Sequence, residues 1–290
     1  MNQFIDFQQQ YLDQFNTYLH NQLMQRIKQP QVQAGMLYSL DAGGKRIRPF
    51  LMLATLHSLK PAALISDYFP IAGAIELIHT YSLIHDDLPE MDNDDYRRGQ
   101  LTNHKRFTPA RAVLAGDALL TEAFIWLTDN VLPATLQSSL VKTLAQAAGG
   151  NGMVAGQMID IVNTGRDLSL DQIIDLDLQK TGALIRASVL MGGVCAQVSQ
   201  PLLMALDNFA RNFGIAFQIY DDLLDVTSTQ EQMGKKVGKD QAAGKNTYVQ
   251  VLGVHQARAK LKFLVQEAQS YLDSIDLKNS VLADSLKYFD

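Results

Sequence analysis

His85-Asp86-Asp87-Leu88-Pro89-Glu90-Met91-Asp92-Asn93-Asp94-Asp95-Tyr96-Arg97-Arg98-Gly99 sets six carboxylates between positions 86 and 95, with two arginines close behind. Such crowding repels itself unless cations enter, and hard oxygen donors suit Mg²⁺ or Ca²⁺. The arginines supply the other half of an arrangement in which an anion, most simply phosphate, bridges metal and guanidinium. An EF-hand opens with similar spacing, but Arg97 stands where its glycine is required. Upstream, Ile71, Ala74, Ile75, Ile78, Ser82 and His85 recur at helical steps, with His79, Leu83 and Asp86 on a second face. Pro89 lacks an N–H and its ring clashes with the carbonyl four residues back, so the helix is predicted to end about there. Asp86 and Asp87 then sit at a helix C-terminus, where the macrodipole favours a cation. Asp92 lies about 240° round an ideal helix from Asp86, so the two share an ion only if the loop turns back.

A second acidic row, Asp221, Asp222 and Asp225 with Gln218 before it, falls on one side of a helical run over 203–226. Two such rows serve one cluster of ions only when they face each other, so residues 1–290 are read as one domain. Helical periodicity also marks 4–28, 32–40, 110–128, 134–148, 170–190 and the chain from Tyr248 on. No strand series with regular turn signals appears, and the fold class expected is all-α.

Three connections carry further signals. In Asp41-Ala42-Gly43-Gly44-Lys45-Arg46-Ile47-Arg48-Pro49, paired glycines let the backbone approach a ligand, and three cations make either a diphosphate cradle or a capped helix end with solvated charges. Ser39 occupies the place of a Walker A first glycine, which excludes that loop. Gly150-Asn151-Gly152-Met153-Val154-Ala155 matches a dinucleotide pattern, yet it follows a helical run rather than a strand. Its glycines are assigned to close helix packing. The Gly- and Lys-rich stretch from about 227 to 247 reads either as a lid over phosphates or as an ordinary solvated loop.

Composition narrows the classes. Across 290 residues, 47% are hydrophobic and 19% charged, enough apolar content for a large core. A net charge of −5 argues against a general nucleic-acid binder, which runs on excess Lys and Arg. The single cysteine, Cys195, forms no internal disulfide. No basic and apolar leader opens the chain, and the longest apolar stretches are interrupted by Glu76 and His79 or by Asp117 and Glu122. A cytoplasmic protein without a membrane span is expected.

From about residue 32 to 253 the chain resembles the trans-prenyltransferases, or isoprenyl diphosphate synthases. The resemblance rests on Gly43-Gly44-Lys45-Arg46-Ile47-Arg48-Pro49, Asp86-Asp87-x-x-x-x-Asp92, Arg97-Arg98-Gly99, Lys180-Thr181-Gly182, Gln218 and Asp221-Asp222-x-x-Asp225. It implies a helical bundle around a deep central cavity, usually a homodimer. Three Mg²⁺ would be held by Asp86, Asp87 and Asp92 on one wall and Asp221 on the other, with Asp222 and Asp225 in the motif's supporting positions. Arg97, Lys180 and Lys235, with Lys245 a further candidate, would grip an allylic diphosphate. Isopentenyl diphosphate would bind without metal through Lys45, Arg48, His79 and Arg98, close to Gly44. Lys180, Thr181 and Gln218 are the implied catalytic residues, the last two placing oxygen dipoles beside an allylic cation.

Product length in the family depends on a large residue five places before the first aspartate, here Tyr81, with Ser82 beside it. Together with the longer aspartate motif it implies a farnesyl (C15) product, with a C20 product as the runner-up. Glu90 adds a carboxylate inside the motif, and Asn246 stands where serine often follows the lid lysine. A terpene cyclase would carry Ser/Thr and Glu at the positions of Asp225 and Thr229, so that pattern fails. A non-catalytic partner subunit usually loses one aspartate motif, and both are whole here.

Overall fold

Residues 2–227 and 246–290 are described here from a computed structural model of the chain. The first helix, α1 (Gln3–Arg26), begins where the Asn2 side chain accepts the N–H groups of Phe4 and Ile5. It buries Phe4, Phe7, Phe15, Leu19 and Leu23 on one stripe. Pro30 opens α2 (Pro30–Leu40) at a position whose N–H has no helical partner anyway. Then follow α3 (Ile47–Leu59), α4 (Phe69–Asp86), α5 (Asn103–Arg106), α6 (Pro109–Thr128) and α7 (Ala134–Ala148). The second half holds α8 (Met153–Val162), α9 (Leu170–Lys180), α10 (Gly182–Ala196), α11 (Gln200–Thr227), α12 (Tyr248–Asp273), α13 (Val281–Asp284) and a closing 3₁₀ turn, Ser285–Phe289.

Helix α4 is apolar on nearly every side, and it packs against α6 and α3 while α10 packs against α3 and α11. Phe50, Ile75, Trp126 and Phe209 belong to the main buried cluster, and a smaller one with Ile173, Ile219, Leu223 and Tyr248 lies among α9, α11 and α12. Among the described residues no helix is long and apolar enough to cross a membrane.

Among the described residues the all-α expectation holds apart from one hairpin, in which β1 (Tyr96–Arg97) pairs antiparallel with β2 (Gln100–Leu101). Arg98 at φ 52° and Gly99 at φ 76° make its two-residue turn, the positive-φ geometry that matches strand twist. The predicted 170–190 helix is two helices, α9 ending at Lys180 and α10 starting at Gly182, with Thr181 as the cap residue between them. Apolar spacing continues across that break, which is why periodicity missed it. The stretch over 41–49 is half loop and half helix, since α3 starts at Ile47 and admits Pro49 in its first turn. The run from Tyr248 likewise ends at Asp273 and turns before α13. Lys235 and Lys245, with most of the 227–247 stretch, lie outside the described residues.

Candidate active site

The ends of α4, α9 and α11, the start of α3, the hairpin turn and one face of α8 enclose a cavity of about 710 Å³. That is the size range of small-molecule sites. Of the residues singled out in the sequence, Gly44, Lys45, Arg48, His79, Tyr81, Ser82, Asp86, Arg97, Arg98, Lys180, Thr181, Gln218 and Asp221 line it. Asp87, Asp92, Asp222 and Asp225 do not.

The first acidic row divides its work. α4 stops at Asp86, and the loop does turn back: the Asp92 N–H donates to the Asp86 carbonyl at 2.8 Å. Burial pushes the Asp86 carboxyl up to about 6, opposed by Lys180 and reinforced by Asp92. Asp87 is 3% exposed and takes a bidentate fork from Arg97, with contacts of 2.6 to 2.9 Å. A carboxylate expected on metal and a guanidinium expected on diphosphate therefore hold each other.

The second row divides similarly. Asp221 and Gln218 reach the cavity from α11, beside Phe217. The Asp222 carboxylate instead accepts the Tyr248 N–H at 2.7 Å, tying α11 to the start of α12. Asp225 is buried, and among the described residues its Oδ1 has no hydrogen-bond partner. Among the described residues no three His, Cys, Asp or Glu side chains gather closely enough to hold a metal ion. Mg²⁺ is nevertheless commonly held by one or two carboxylates plus substrate phosphates and water. Asp86 and Asp221, hard oxygen donors on two walls of one cavity, fit that mode.

The cations separate into two sets. Lys180 ends α9 with its Nζ 2.5 Å from Asp160 of α8. The helices meet closely because residue 156 is glycine: a Cβ there would lie 2.1 Å from the Lys180 nitrogen. On the other wall the partners are neutral. Lys45 Nζ donates to the Tyr288 hydroxyl at 2.5 Å, and Arg48 lies 3.3 Å from His79 Nε2. Arg98 donates to the Gly43 carbonyl, its guanidinium lying where a Cβ on Gly44 would be, 2.6 Å away. Gly44 at φ 123° makes that stacking possible. Burial, then Arg48 and Arg98, hold the His79 imidazole well below its usual range, so it is a neutral acceptor for Arg48. Arg48 Nε is buried without a partner among the described residues, a donor that an anion would satisfy.

Arg46, the third cation of that turn, is not available for a ligand. It is 4% exposed and binds Glu76 at 2.6 Å, the Leu40 carbonyl at 2.6 Å and Asn16 at 3.1 Å. The cradle read from the sequence thus keeps two of its three charges.

Below the aspartates, Tyr81 is 7% exposed and edge-on to His85 at 5.6 Å. Ser82 donates to the His79 carbonyl at 2.9 Å. Sequence reasoning missed the wall opposite, Met153, Gln157 and Ile161 of α8, although their four-residue steps are a helical signal. It also missed Asp160, Phe217 and Tyr288, which carry no local signal.

The sequence matches the family described as Polyprenyl synthetase over residues 29–282. It is 45% identical to a farnesyl diphosphate synthase of Micrococcus luteus over 260 residues, 90% of this chain and 89% of that one. It is 42% identical to a geranylgeranyl diphosphate synthase of Cyanophora paradoxa, over 85% and 84% of the two chains. Its fold matches a crystal structure of a geranyltransferase from Helicobacter pylori complexed with magnesium and isoprenyl diphosphate. There the TM-score is 0.84 at 33% identity, covering 99% of this chain and 96% of that one.

Proposed function

Because the chain belongs to the polyprenyl synthetase family, we propose that it condenses isopentenyl diphosphate with dimethylallyl and then geranyl diphosphate to give farnesyl diphosphate. The observation that carries this is Asp86 and Asp221 on separate walls of one cavity that also holds two sets of cations. Mg²⁺, three ions in this reading, supplies Lewis-acid neutralisation of the departing diphosphate's charge. Asp86, Asp87 and Asp92 on one wall and Asp221 on the other would hold it, with Asp222 and Asp225 supporting.

Each round breaks an allylic C–O bond, with the electron pair leaving on diphosphate. The double bond of isopentenyl diphosphate attacks the allylic carbon, and the proton lost from the adduct goes to the released diphosphate. Lys180 and Arg97 hold the allylic diphosphate, with Lys235 and Lys245 as further candidates. Gln218 and Thr181 turn oxygen dipoles toward the cation. Lys45, Arg48, Arg98 and the neutral His79 hold the second diphosphate. The apolar side chains of α8 and Leu184 keep water from the cation.

Tyr81 forms the floor that limits the product to fifteen carbons. It lies five residues before Asp86, about 7.5 Å along a helix, the right scale for a bottom beneath the reacting carbon. Geranylgeranyl diphosphate is the second reading, favoured by the Cyanophora paradoxa relative. We read the chain as one cytoplasmic domain acting as a homodimer.

Incubation with dimethylallyl and labelled isopentenyl diphosphates, with and without Mg²⁺, tests the reading. A Mg²⁺-dependent C15 product is expected, and Tyr81→Ala should shift it to C20 or longer. Exclusive C20 from the unmodified protein would overturn the chain-length assignment. No elongated product from any primer would overturn the activity.

A further inference from the structure

The closing 3₁₀ turn brings Tyr288 against Lys45, a cavity-lining residue 243 positions away along the chain. Its hydroxyl accepts from Lys45 Nζ at 2.5 Å, and the same Nζ stands 5.0 Å from the ring centre. The ring lies nearly parallel to Phe217, 17° between planes at 5.6 Å, with Tyr220 and Phe289 packed against it edge-on. Lys45 and Phe217 both line the cavity. The Lys45 backbone is tied separately, its carbonyl accepting from Gln8 at 2.5 Å. α1 is itself joined to the C-terminal segment, because the Gln3 N–H donates to Asp284 at 2.7 Å.

An ammonium has three donors. A hydroxyl occupies one of them and aims the group without cancelling its charge, whereas a carboxylate in the same place would do both. A lysine stem also loses rotamer freedom when it grips an anion, and a stem already anchored has lost that freedom beforehand.

Resting on the assignment of Lys45 to the metal-free diphosphate, we propose that Tyr288 is a positioning residue whose hydroxyl aims the Lys45 ammonium at isopentenyl diphosphate. A purely structural Tyr288 would matter through its ring alone.

Tyr288→Phe keeps the ring and removes the hydroxyl, so steady-state kinetics with each substrate varied in turn separates the two roles. The KM for isopentenyl diphosphate should rise about five- to ten-fold, with kcat and the allylic KM within about two-fold of the unmodified protein. In a Lys45→Met background the same change should add nothing. An unchanged KM, an equal rise for both substrates, or full additivity with Lys45→Met would overturn the proposal. Calorimetric titration with isopentenyl diphosphate and no Mg²⁺ reads the same weakening without turnover. An inactive protein whose affinity still depends on Tyr288 would overturn the elongation reading and keep this one; Tyr288-independent affinity would overturn this one.

Discussion

The two cationic surfaces of the cavity differ in what their charges touch. Arg97 and Lys180, on the aspartate side, each hold a carboxylate, Asp87 and Asp160. Lys45, Arg48 and Arg98, on the facing side, hold a phenol, an imidazole and a backbone carbonyl. Opposite unit charges about 4 Å apart interact by about 4 kcal/mol at an effective dielectric of 20, so the choice of acceptor sets the local field. The aspartate side has its positive charge largely compensated and keeps a carboxylate excess at Asp86. An anion settles there only with added cations. On the facing side the positive charge stays available, and a diphosphate can bind bare. One cavity thereby offers two chemically different seats to two similar ligands.

The strongest way to break this comparison is to remove the acidic members. Asp86→Ala or Asp221→Ala should lower kcat by about 10³-fold or more, as loss of transition-state charge stabilisation does, read by initial rates at saturating Mg²⁺. A near-normal rate would mean that the metal side is elsewhere. Next in size is the buried pair behind the cradle. Arg46→Met leaves Glu76, 1% exposed, without its guanidinium partner, and should destabilise the fold by about 3–5 kcal/mol in urea titration. On the facing side, Arg48→Met should raise the KM for isopentenyl diphosphate by about ten- to a hundred-fold while leaving the allylic KM near its original value. Equal effects on both would dissolve the distinction between the seats.

The smallest effect is a pH dependence. Burial pushes the Asp177 carboxyl up to about 7, against the pull of the Tyr248 hydroxyl and Lys180. The unfolded chain releases that proton near its ordinary 3.8, so between about 4 and 7 the native state binds more protons than the unfolded one. Stability from this group is full below that window and is lost as the pH rises through it. Asp177→Asn should flatten the fall in Tm across the window, by about 2–4 °C for each kcal/mol involved, read by scanning calorimetry at stepped pH.

Local rules made much of this molecule readable. The end of α4 at Asp86 follows from Pro89, and the acidic face of α11 follows from steps of three and four. The paired glycines before Lys45 do adopt positive φ. What local rules missed has a common cause. The break at Thr181 divides α9 from α10 without interrupting apolar spacing, so periodicity passes over it. Two-residue strands are too short for alternation to register. The partners of Arg46, Lys180 and Lys45 are acceptors 30, 20 and 243 residues away, which only packing brings together.

Sequence by itself therefore determined the all-α class, the two acidic rows and the kinds of charge that surround a diphosphate, because helix period, proline stops and charge counts act within a few residues. Tertiary structure alone decided what each of those charges touches. Asp87 and Arg97 neutralise each other, Arg46 is sunk against Glu76, and Tyr288 reaches back to Lys45. Each outcome depends on distances between segments that share no local signal, and Coulomb and hydrogen-bond energies depend on those distances.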